Sequence, residues 1–413
     1  MTTMDIIRRT KAAWRSIHTM TAEDKSRLLQ SMAESLQRHT DEILRCNALD
    51  MDAARGKISD VMLDRLRLDA ARIDAMADGV RAVAQLPDHT GRILSEVQRP
   101  NGMTIYKKQV PLGLVAIIYE SRPNVTSDAA ALAIKSGNVC VLRSGRDAIR
   151  SAKAITAALK EGITAAGGDA DILNILEDTS HESANELMQL NGYVDVLIPR
   201  GGAGLIRAVA REASVPVIRT GEGVCHIYVD SDANLDMAAE ILYNAKCSRP
   251  SVCNAVECVL IHEAVAAEFL QKAVPPLDWK HVELRCDEAS LKLLGAQARA
   301  AEDADWDAEY DDYILAVHVV RDLDEAMEFI AAHSTQHSEC IVTESYAKAQ
   351  RFLDEVDAAA VYVNASTRFT DGGEFGMGAE IGISTQKMHA RGPMGLEELT
   401  SYKYIVYGNG QVR

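Results

Sequence analysis

Cys253 is the residue of this sequence whose surroundings best suit a nucleophile. It lies in SRPSVCNA, a polar and proline-interrupted link between a predicted helix (235–246) and a predicted strand (257–262), and Arg249 precedes it closely. A reactive thiolate needs partial exposure and positive surroundings, and a loop beside an arginine supplies both. Cys247, at the end of the helix, is the nearest competitor. The alternative is that all eight cysteines are small buried hydrophobes.

Asn124 is a candidate for stabilising an oxyanion. It follows Pro123 after a predicted buried strand and precedes a predicted helix. A side-chain amide at that place can donate a hydrogen bond to negative charge that develops near the edge of the sheet. An asparagine that caps the helix would look the same in the sequence, and both interpretations stay open.

The segment LRSGRDA (142–148) is a candidate anion site. Arg143, Ser144, Gly145 and Arg146 follow a predicted strand, and open α/β sheets bind ligands at the carboxyl ends of their strands. Arginine suits phosphate because its guanidinium can donate two parallel hydrogen bonds. The alternative is that both arginines are ordinary surface charges.

A second turn, RGGAG (200–204), could also hold phosphate. Gly201 and Gly202 stand between a predicted strand and a predicted helix, where backbone N–H groups point outward. The sequence contains neither G-x-G-x-x-G nor a P-loop, so a plain tight turn is the competing interpretation.

Two further arginines and a histidine pair complete the candidates. Arg368 and Arg391 lie in glycine-rich surroundings, where backbone N–H groups are available for anions. His333 and His337 have the spacing of metal ligands on a helix, but the segment lacks the glutamate of H-E-x-x-H and no third ligand is evident. We therefore predict no metal site.

The helices and strands that carry these residues are predicted to form an α/β fold. Residues from about 5 to 85 are predicted helical, and strands and helices then alternate, which is typical of parallel sheets. VPVIRT (215–220) is predicted as one strand, and the helix at 263–273 is predicted to end before a Pro-Pro connector at 275–276.

We expect two α/β lobes, one over 1–223 that binds the cofactor and one over 224–380 that carries the nucleophile. A return segment and terminal strand follow over 381–413. The hairpin predicted near 95–110 and the terminal strand have no obvious partner within either lobe. Because unpaired edges tend to pair with another chain, we expect a homo-oligomer.

Composition excludes several classes of protein. The chain has 413 residues, and 44 Lys and Arg against 60 Asp and Glu give a net charge of −16, which argues against nucleic-acid and membrane partners. No apolar run reaches the roughly 18 residues of a membrane span, and the first residues do not resemble a secretion signal. Eight cysteines without a C-x-x-C pair favour a reducing cytoplasm.

Six segments together resemble the aldehyde dehydrogenase superfamily: 110–148, 195–206, 221–230, 244–257, 309–320 and 364–405. The resemblance implies that Cys253 is the catalytic thiol and Asn124 the oxyanion amide. It implies NADPH as cofactor, with Arg143 to Arg146 along the adenosine ribose and its phosphate and Gly201 and Gly202 beside the other phosphates. It also places Glu309 on the nicotinamide ribose.

One departure from the superfamily bears on the reaction. Hydrolytic members carry a glutamate that activates water, and alignment on Gly221 puts Arg219 at that position. A base for water is of no use when phosphate is the exchange partner, and a cation favours phosphate. The resemblance therefore implies the branch that reduces L-glutamyl 5-phosphate to glutamate 5-semialdehyde in proline biosynthesis.

In that interpretation Arg249, Arg368 and Arg391 bind the substrate phosphate, and a glutamate kinase is the functional partner upstream. Two rival hypotheses remain. One is an aldehyde dehydrogenase that produces a free acid and needs only water. The other is a non-catalytic protein that kept the fold, because a fold does not fix a function.

Overall fold

The computed structural model describes residues 2–413, with the side chains of all but residues 60, 61 and 203. The chain forms two compact units, each described by itself below. The first unit comprises Met1–Thr220, Gly376–Gly382 and Met394–Arg413, and the second comprises Gly221–Phe375 and Ile383–Pro393. The first unit therefore ends three residues before the expected 223, and the expected return segment is divided between the units.

The α-helices are, in chain order, α1 (Thr3–His18), α2 (Ala22–Arg38), α3 (Thr40–Ala54), α4 (Asp60–Leu66), α5 (Ala70–Gln85), α6 (Val125–Lys135), α7 (Ile149–Ala165), α8 (His181–Met188), α9 (Ala203–Glu212), α10 (Leu235–Cys247), α11 (Ala266–Asp278), α12 (Glu288–Leu294), α13 (Leu323–His333) and α14 (Tyr346–Glu355). Across residues 2–413, no helix is long and apolar enough to cross a membrane.

The strands are β1 (Ile93–Gln98), β2 (Thr104–Pro111), β3 (Leu114–Tyr119), β4 (Val139–Ser144), β5 (Leu173–Ile175), β6 (Val196–Arg200), β7 (Cys225–Val229), β8 (Val256–His262), β9 (Glu283–Cys286), β10 (Arg299–Ala300), β11 (Ile314–Val320), β12 (Ser338–Val342), β13 (Ala360–Val363), β14 (Ile383–Ser384), β15 (Gly392–Pro393) and β16 (Thr400–Tyr407).

The first unit is built on a parallel sheet of order β5-β4-β3-β6. Every residue of β3 and β4 is buried, as expected for a parallel sheet whose two faces are both covered. The N-terminal helices begin with well-formed caps, since Thr2 and Thr21 each accept a hydrogen bond in a capping box. Because the strands are parallel, their carboxyl ends meet at one edge, where the candidate phosphate turns follow.

The predicted hairpin and the C-terminal strand pair with each other rather than lacking a partner. They form an antiparallel sheet of order β1-β2-β16, in which residues 400–407 pair with residues 104–111. All six residues of β1 are exposed. The sequence could not reveal this pairing, because about 290 residues of chain separate β2 from β16. The role of this sheet in an oligomer stays a prediction.

The second unit contains a seven-stranded parallel sheet of order β10-β9-β11-β8-β7-β12-β13, and β14 and β15 form a short antiparallel pair. Helices α10 and α11 pack on a core that includes Phe269, Val274 and Leu277. Strand β7 follows the segment that contains Gly223, and β8 follows the loop after α10 that contains Cys253.

Two predictions about elements were wrong. Residues 215–220 pair with β6 only through an isolated bridge between Leu197 and Val217, because Pro216 has no N–H to donate to a ladder. Pro275 and Pro276 lie inside α11 rather than in a connector. Helix α11 continues because buried residues on both sides of the prolines hold its last turn against the core, which offsets the lost backbone hydrogen bonds.

Candidate active site

Cys253 lies in the second unit, in the loop between α10 and β8, and its side chain is partly exposed. Six of the eight cysteines are buried, and Cys46 is the other partly exposed one. Cys46 lies on α3, where its thiol donates to the carboxylate of Glu42. The competitor Cys247 is buried, and burial raises the pKa of its thiol to about 11. The structure therefore makes Cys253 the best-placed candidate nucleophile.

Gly223 packs against the backbone of Cys253, and sequence reasoning missed this contact. A Cβ at residue 223 would lie 1.5 Å from the carbonyl oxygen of Cys253, so only glycine fits. The Cys225 thiol donates to the same carbonyl oxygen at 3.2 Å. Glu309 accepts a hydrogen bond from the N–H of Gly223 at 2.9 Å. This carboxylate is therefore fixed beside the loop of residues 248–255, the nucleophile loop, which carries Cys253.

Two of the three predicted phosphate-binding arginines share the surroundings of Cys253. Arg368 is half-buried and its Nε donates to Ser248 Oγ at 3.1 Å. Burial and then the charge of Arg249 lower the pKa of Arg368, while the Cys253 sulfur raises it. Arg249 itself is exposed. A half-buried guanidinium beside a thiol is suited to receive a phosphate group.

Arg391, the third predicted phosphate ligand, has a different partner. Its Nη1 lies 2.8 Å from an oxygen of Asp357. The Nε and Nη2 atoms of Arg391 are buried and make no hydrogen bond within the described residues. Nitrogens of this kind can bind an anion, but the ion pair with Asp357 already offsets the positive charge. Its role in binding phosphate stays a prediction.

A buried ion pair joins the two ends of the nucleophile loop, and sequence reasoning missed it. Lys246, in the last turn of α10, lies 2.6 Å from Glu257, in β8, and both side chains are almost completely buried. Burial raises the pKa of Glu257, and the charge of Lys246 at 2.6 Å lowers it. The only signal in the sequence was a lysine and a glutamate on either side of the loop in otherwise apolar elements.

In the first unit, Asn124 is exposed and precedes α6. Its side chain makes no capping hydrogen bond, and its amide donates instead to Asp128 at 3.1 Å. Burial raises the pKa of Asp128 to about 6, while Asn124 and Arg200 lower it. The capping interpretation is therefore wrong, and the amide is available at the surface, as an oxyanion donor requires.

The predicted glycine turn follows β6 beside the end of β3. The N–H of Gly202 donates to Oε2 of Glu120 at 3.1 Å, and a Cβ at Gly201 would collide with the same carboxylate. A Cβ at Gly202 would meet no atom within 4 Å, so the turn is open at the start of α9. Gly145 donates to the carbonyl of Tyr119 at 2.7 Å, which brings the turn after β4 to the same edge.

The two arginines of the 142–148 segment differ in what they can reach. Arg143 is buried, and its Nη2 donates to the carbonyls of Thr179 and Ser180 at 2.9 and 2.8 Å. Burial also lowers the pKa of Arg143. Ser144 is buried as well, whereas Arg146 is exposed. Arg143 therefore holds the loop before α8, and Arg146 is the arginine of this segment that solvent reaches.

The histidine pair is divided between two environments. His333 lies 2.8 Å from Asp307, whereas His337 is buried and hydrogen-bonds Ser338 at 2.8 Å. Burial lowers the pKa of His337 to about 4. Among the side chains that the structure describes, no group of three or more His, Cys, Asp or Glu is arranged to hold a metal ion.

Comparison with known proteins shows which family this chain resembles. The model of the aldehyde dehydrogenase family matches residues 2–290. A gamma-glutamyl phosphate reductase of Streptococcus suis is 58% identical over 398 residues, which are 96% of each chain. One from Neisseria gonorrhoeae is 55% identical and covers 98% of this chain and 97% of its own.

Solved structures give the same result. The crystal structure of gamma-glutamyl phosphate reductase from Thermotoga maritima has a TM-score of 0.95 and 44% sequence identity, and the match covers 100% of this chain and 99% of that one. An acetylating aldehyde dehydrogenase from Geobacillus thermoglucosidasius, at 17% identity and a TM-score of 0.73, shares the fold. This chain is therefore an oxidoreductase that belongs to the aldehyde dehydrogenase family.

Proposed function

We propose that this enzyme reduces L-glutamyl 5-phosphate to L-glutamate 5-semialdehyde and phosphate with NADPH, as the second step of proline biosynthesis. The observation that carries the proposal is the partly exposed Cys253, which shares its surroundings with the guanidinium groups of Arg249 and Arg368. The names of the curated relatives support the same substrate.

Acyl transfer comes first. The Cys253 thiolate attacks the acyl carbon of the substrate, a thioester forms, and the bond between that carbon and the phosphate oxygen breaks. The backbone N–H of Cys253 donates to the oxyanion of the tetrahedral intermediate, and the resemblance to the aldehyde dehydrogenase family assigns the same role to the amide of Asn124. Arg368 and Arg249 receive the departing phosphate, with Arg391 as a further ligand. Arg219, where hydrolytic members carry their base, leaves water without an activating carboxylate.

Membership in the family implies a nicotinamide cofactor, which when bound supplies the hydride that reduces the thioester. The residues of the first unit fit such a group, because the space beside Gly202 is open at the start of α9 and the N-terminus of a helix suits phosphate. We assign the 2′-phosphate of NADPH to the exposed Arg146, with Gly145 beside it. Arg143 and Ser144 support that loop from the interior.

Glu309 is proposed to hold the nicotinamide ribose. Its carboxylate already accepts a hydrogen bond from the N–H of Gly223, and Gly223 packs against the backbone of Cys253. Glu309 is therefore linked to the nucleophile through Gly223. When the thiohemiacetal collapses, the aldehyde leaves and the Cys253 thiolate is regenerated.

Three further properties belong to the proposal. The exposed β1 and the apolar residues Tyr404 and Val406 of β16 suit pairing between subunits, so we propose a homo-oligomer. Eight free cysteines suit a reducing cytoplasm. The substrate is an acyl phosphate, so a glutamate kinase must supply it.

The test is oxidation of glutamate 5-semialdehyde with NADP, measured with and without inorganic phosphate. We expect NADPH to accumulate catalytically only with phosphate, and Cys253→Ala to abolish turnover while NADPH affinity is nearly unchanged. Steady turnover without phosphate would show a hydrolytic aldehyde dehydrogenase instead. If Cys253 is not alkylated rapidly, its assignment as the nucleophile is wrong.

A further inference from the structure

Asn254, the residue after the proposed nucleophile, is almost completely buried and uses its whole side chain in hydrogen bonds. Its amide nitrogen donates to the carbonyls of Arg368 and Thr370 at 3.2 and 2.9 Å, and its amide oxygen accepts from Nη1 of Arg368. Its own carbonyl accepts from the hydroxyl of Thr367 at 2.7 Å. One side chain thus ties the nucleophile loop to the segment that carries Arg368.

The guanidinium of Arg368 is held from two sides by the nucleophile loop. Ser248, at the start of that loop, accepts from Nε, and Asn254, next to Cys253, accepts from Nη1. A planar guanidinium bonded through two of its nitrogens has little freedom to rotate. Its position is therefore set relative to the loop.

The segment that carries Arg368 is itself attached to the sheet. The hydroxyl of Thr370 hydrogen-bonds Ser338 in β12 at 2.6 Å and the hydroxyl of Tyr362 in β13 at 2.7 Å. The hydrogen bonds of Asn254 therefore connect the residue next to Cys253, through Thr370, to strands β12 and β13 of the second unit.

We propose that Asn254 is a positioning residue, which fixes the distance between the Cys253 thiol and the Arg368 guanidinium so that phosphate leaving the acyl carbon meets that guanidinium. The inference rests on the proposed function. It adds a residue that neither donates to the substrate nor reacts with it.

The chemistry of the site explains why this residue is an asparagine. Aspartate would still accept from Arg368, but its second oxygen would face the two carbonyl oxygens that the amide nitrogen now satisfies, and its charge would weaken the attraction of Arg368 for phosphate. Alanine would remove the bonds to the carbonyls of Arg368 and Thr370 and the acceptor for Nη1, which leaves the guanidinium bonded to Ser248 alone.

The experiment compares Asn254→Ala and Asn254→Asp with a matched control, Asn47→Ala. Asn47 is also buried, and its side chain makes three hydrogen bonds in the first unit, with the backbone of Leu66 and Leu68 and with Ser151. Each variant is assayed for kcat and for the KM of phosphate in semialdehyde oxidation, for the alkylation rate of Cys253, and for thermal stability.

For Asn254→Ala we expect kcat to fall on the order of 100-fold, since a misplacement of about 1 Å costs that much, and the KM of phosphate to rise. Asn254→Asp should raise the KM of phosphate further at the same assay conditions. Asn47→Ala should lower thermal stability about as much as Asn254→Ala does, but it should change neither kinetic constant nor the alkylation rate of Cys253.

A double-mutant cycle separates positioning from simple structure. In an Arg368→Ala background, Asn254→Ala should produce no further rise in the KM of phosphate. A full additional rise in that background, or equal kinetic losses in the control variant Asn47→Ala, would overturn the inference. If Arg368→Ala alone leaves the KM of phosphate unchanged, the proposed phosphate site itself is wrong.

Discussion

A methyl group at residue 223 should disable the enzyme without touching any reacting atom. In Gly223→Ala, the added Cβ would lie 1.5 Å from the carbonyl oxygen of Cys253 and 2.7 Å from its Cα. Real Cβ atoms essentially never come closer than 3.0 Å to another heavy atom. Because both contacts are with backbone, no side-chain rotation can relieve them, and the nucleophile loop has to move.

The size of the effect follows from that geometry. Raising the distance from 1.5 to 3.0 Å requires a displacement of about 1.5 Å, shared between the two segments. A misplacement of about 1 Å in an active site costs roughly 100-fold in rate. We therefore expect kcat to fall by at least that factor, which corresponds to about 2.7 kcal/mol of activation free energy.

The assay is phosphate-dependent reduction of NADP by the semialdehyde, with thermal unfolding as a check that the second unit, which contains residue 223, is folded. The matched control is Gly79→Ala in α5, where the described residues outside the helix backbone bring only an oxygen of Asp128, at 3.9 Å, within 4 Å of an added Cβ. This control should retain activity and gain slight helix stability. Activity of Gly223→Ala within a few-fold of the unmodified enzyme would refute the reasoning.

Three further predictions concern stability and the cofactor. Burial alone would raise the pKa of Asp287, but the ring nitrogen of His318 at 2.9 Å, together with hydrogen bonds from Ser290 and from backbone N–H groups, outweighs burial and lowers that pKa from 3.8 to about 2. After a discount for solvent screening of this partly exposed group, Asp287→Asn should therefore cost roughly 1–2 kcal/mol of unfolding free energy at neutral pH. The difference in unfolding free energy between the two proteins should disappear as the pH falls from about 4 to about 2, because the wild-type carboxyl group is then neutral, as the asparagine is. Urea unfolding that gives the same difference at every pH would contradict this prediction. Gly201→Ala should raise the KM of NADPH, because its Cβ collides with Glu120, and an unchanged KM would argue against the glycine turn as a phosphate site. Arg146→Ala should reduce the preference for NADPH over NADH with little effect on thermal stability, and an unchanged ratio of kcat/KM values would remove Arg146 from the 2′-phosphate site.

Local sequence was sufficient where the structure depends on local chemistry. The apolar runs that became β3 and β4 are buried throughout, and the polar loop around Cys253 leaves the thiol partly exposed. Both follow from the types of neighbouring residues alone. The parallel order of the strands followed from the alternation of helices and strands.

Sequence reasoning failed where side chains from distant segments meet. Nothing near Gly223 indicates that it contacts Cys253, and nothing near Asn254 indicates that it bonds to Arg368. The two arginines at 143 and 146 look equivalent in sequence, yet one donates to carbonyls that lie more than 30 residues away and the other is exposed. Such differences depend on the packing of segments that a local pattern does not describe.

The most direct test of the account is to trap the acyl group on the enzyme. The protein is mixed with glutamate 5-semialdehyde and NADP without phosphate, quenched in acid, digested, and mapped by mass spectrometry. We predict a stoichiometric burst of NADPH and a glutamyl thioester on Cys253, which added phosphate releases. An acyl group on another residue, or continued turnover with no acyl-enzyme, would contradict the account.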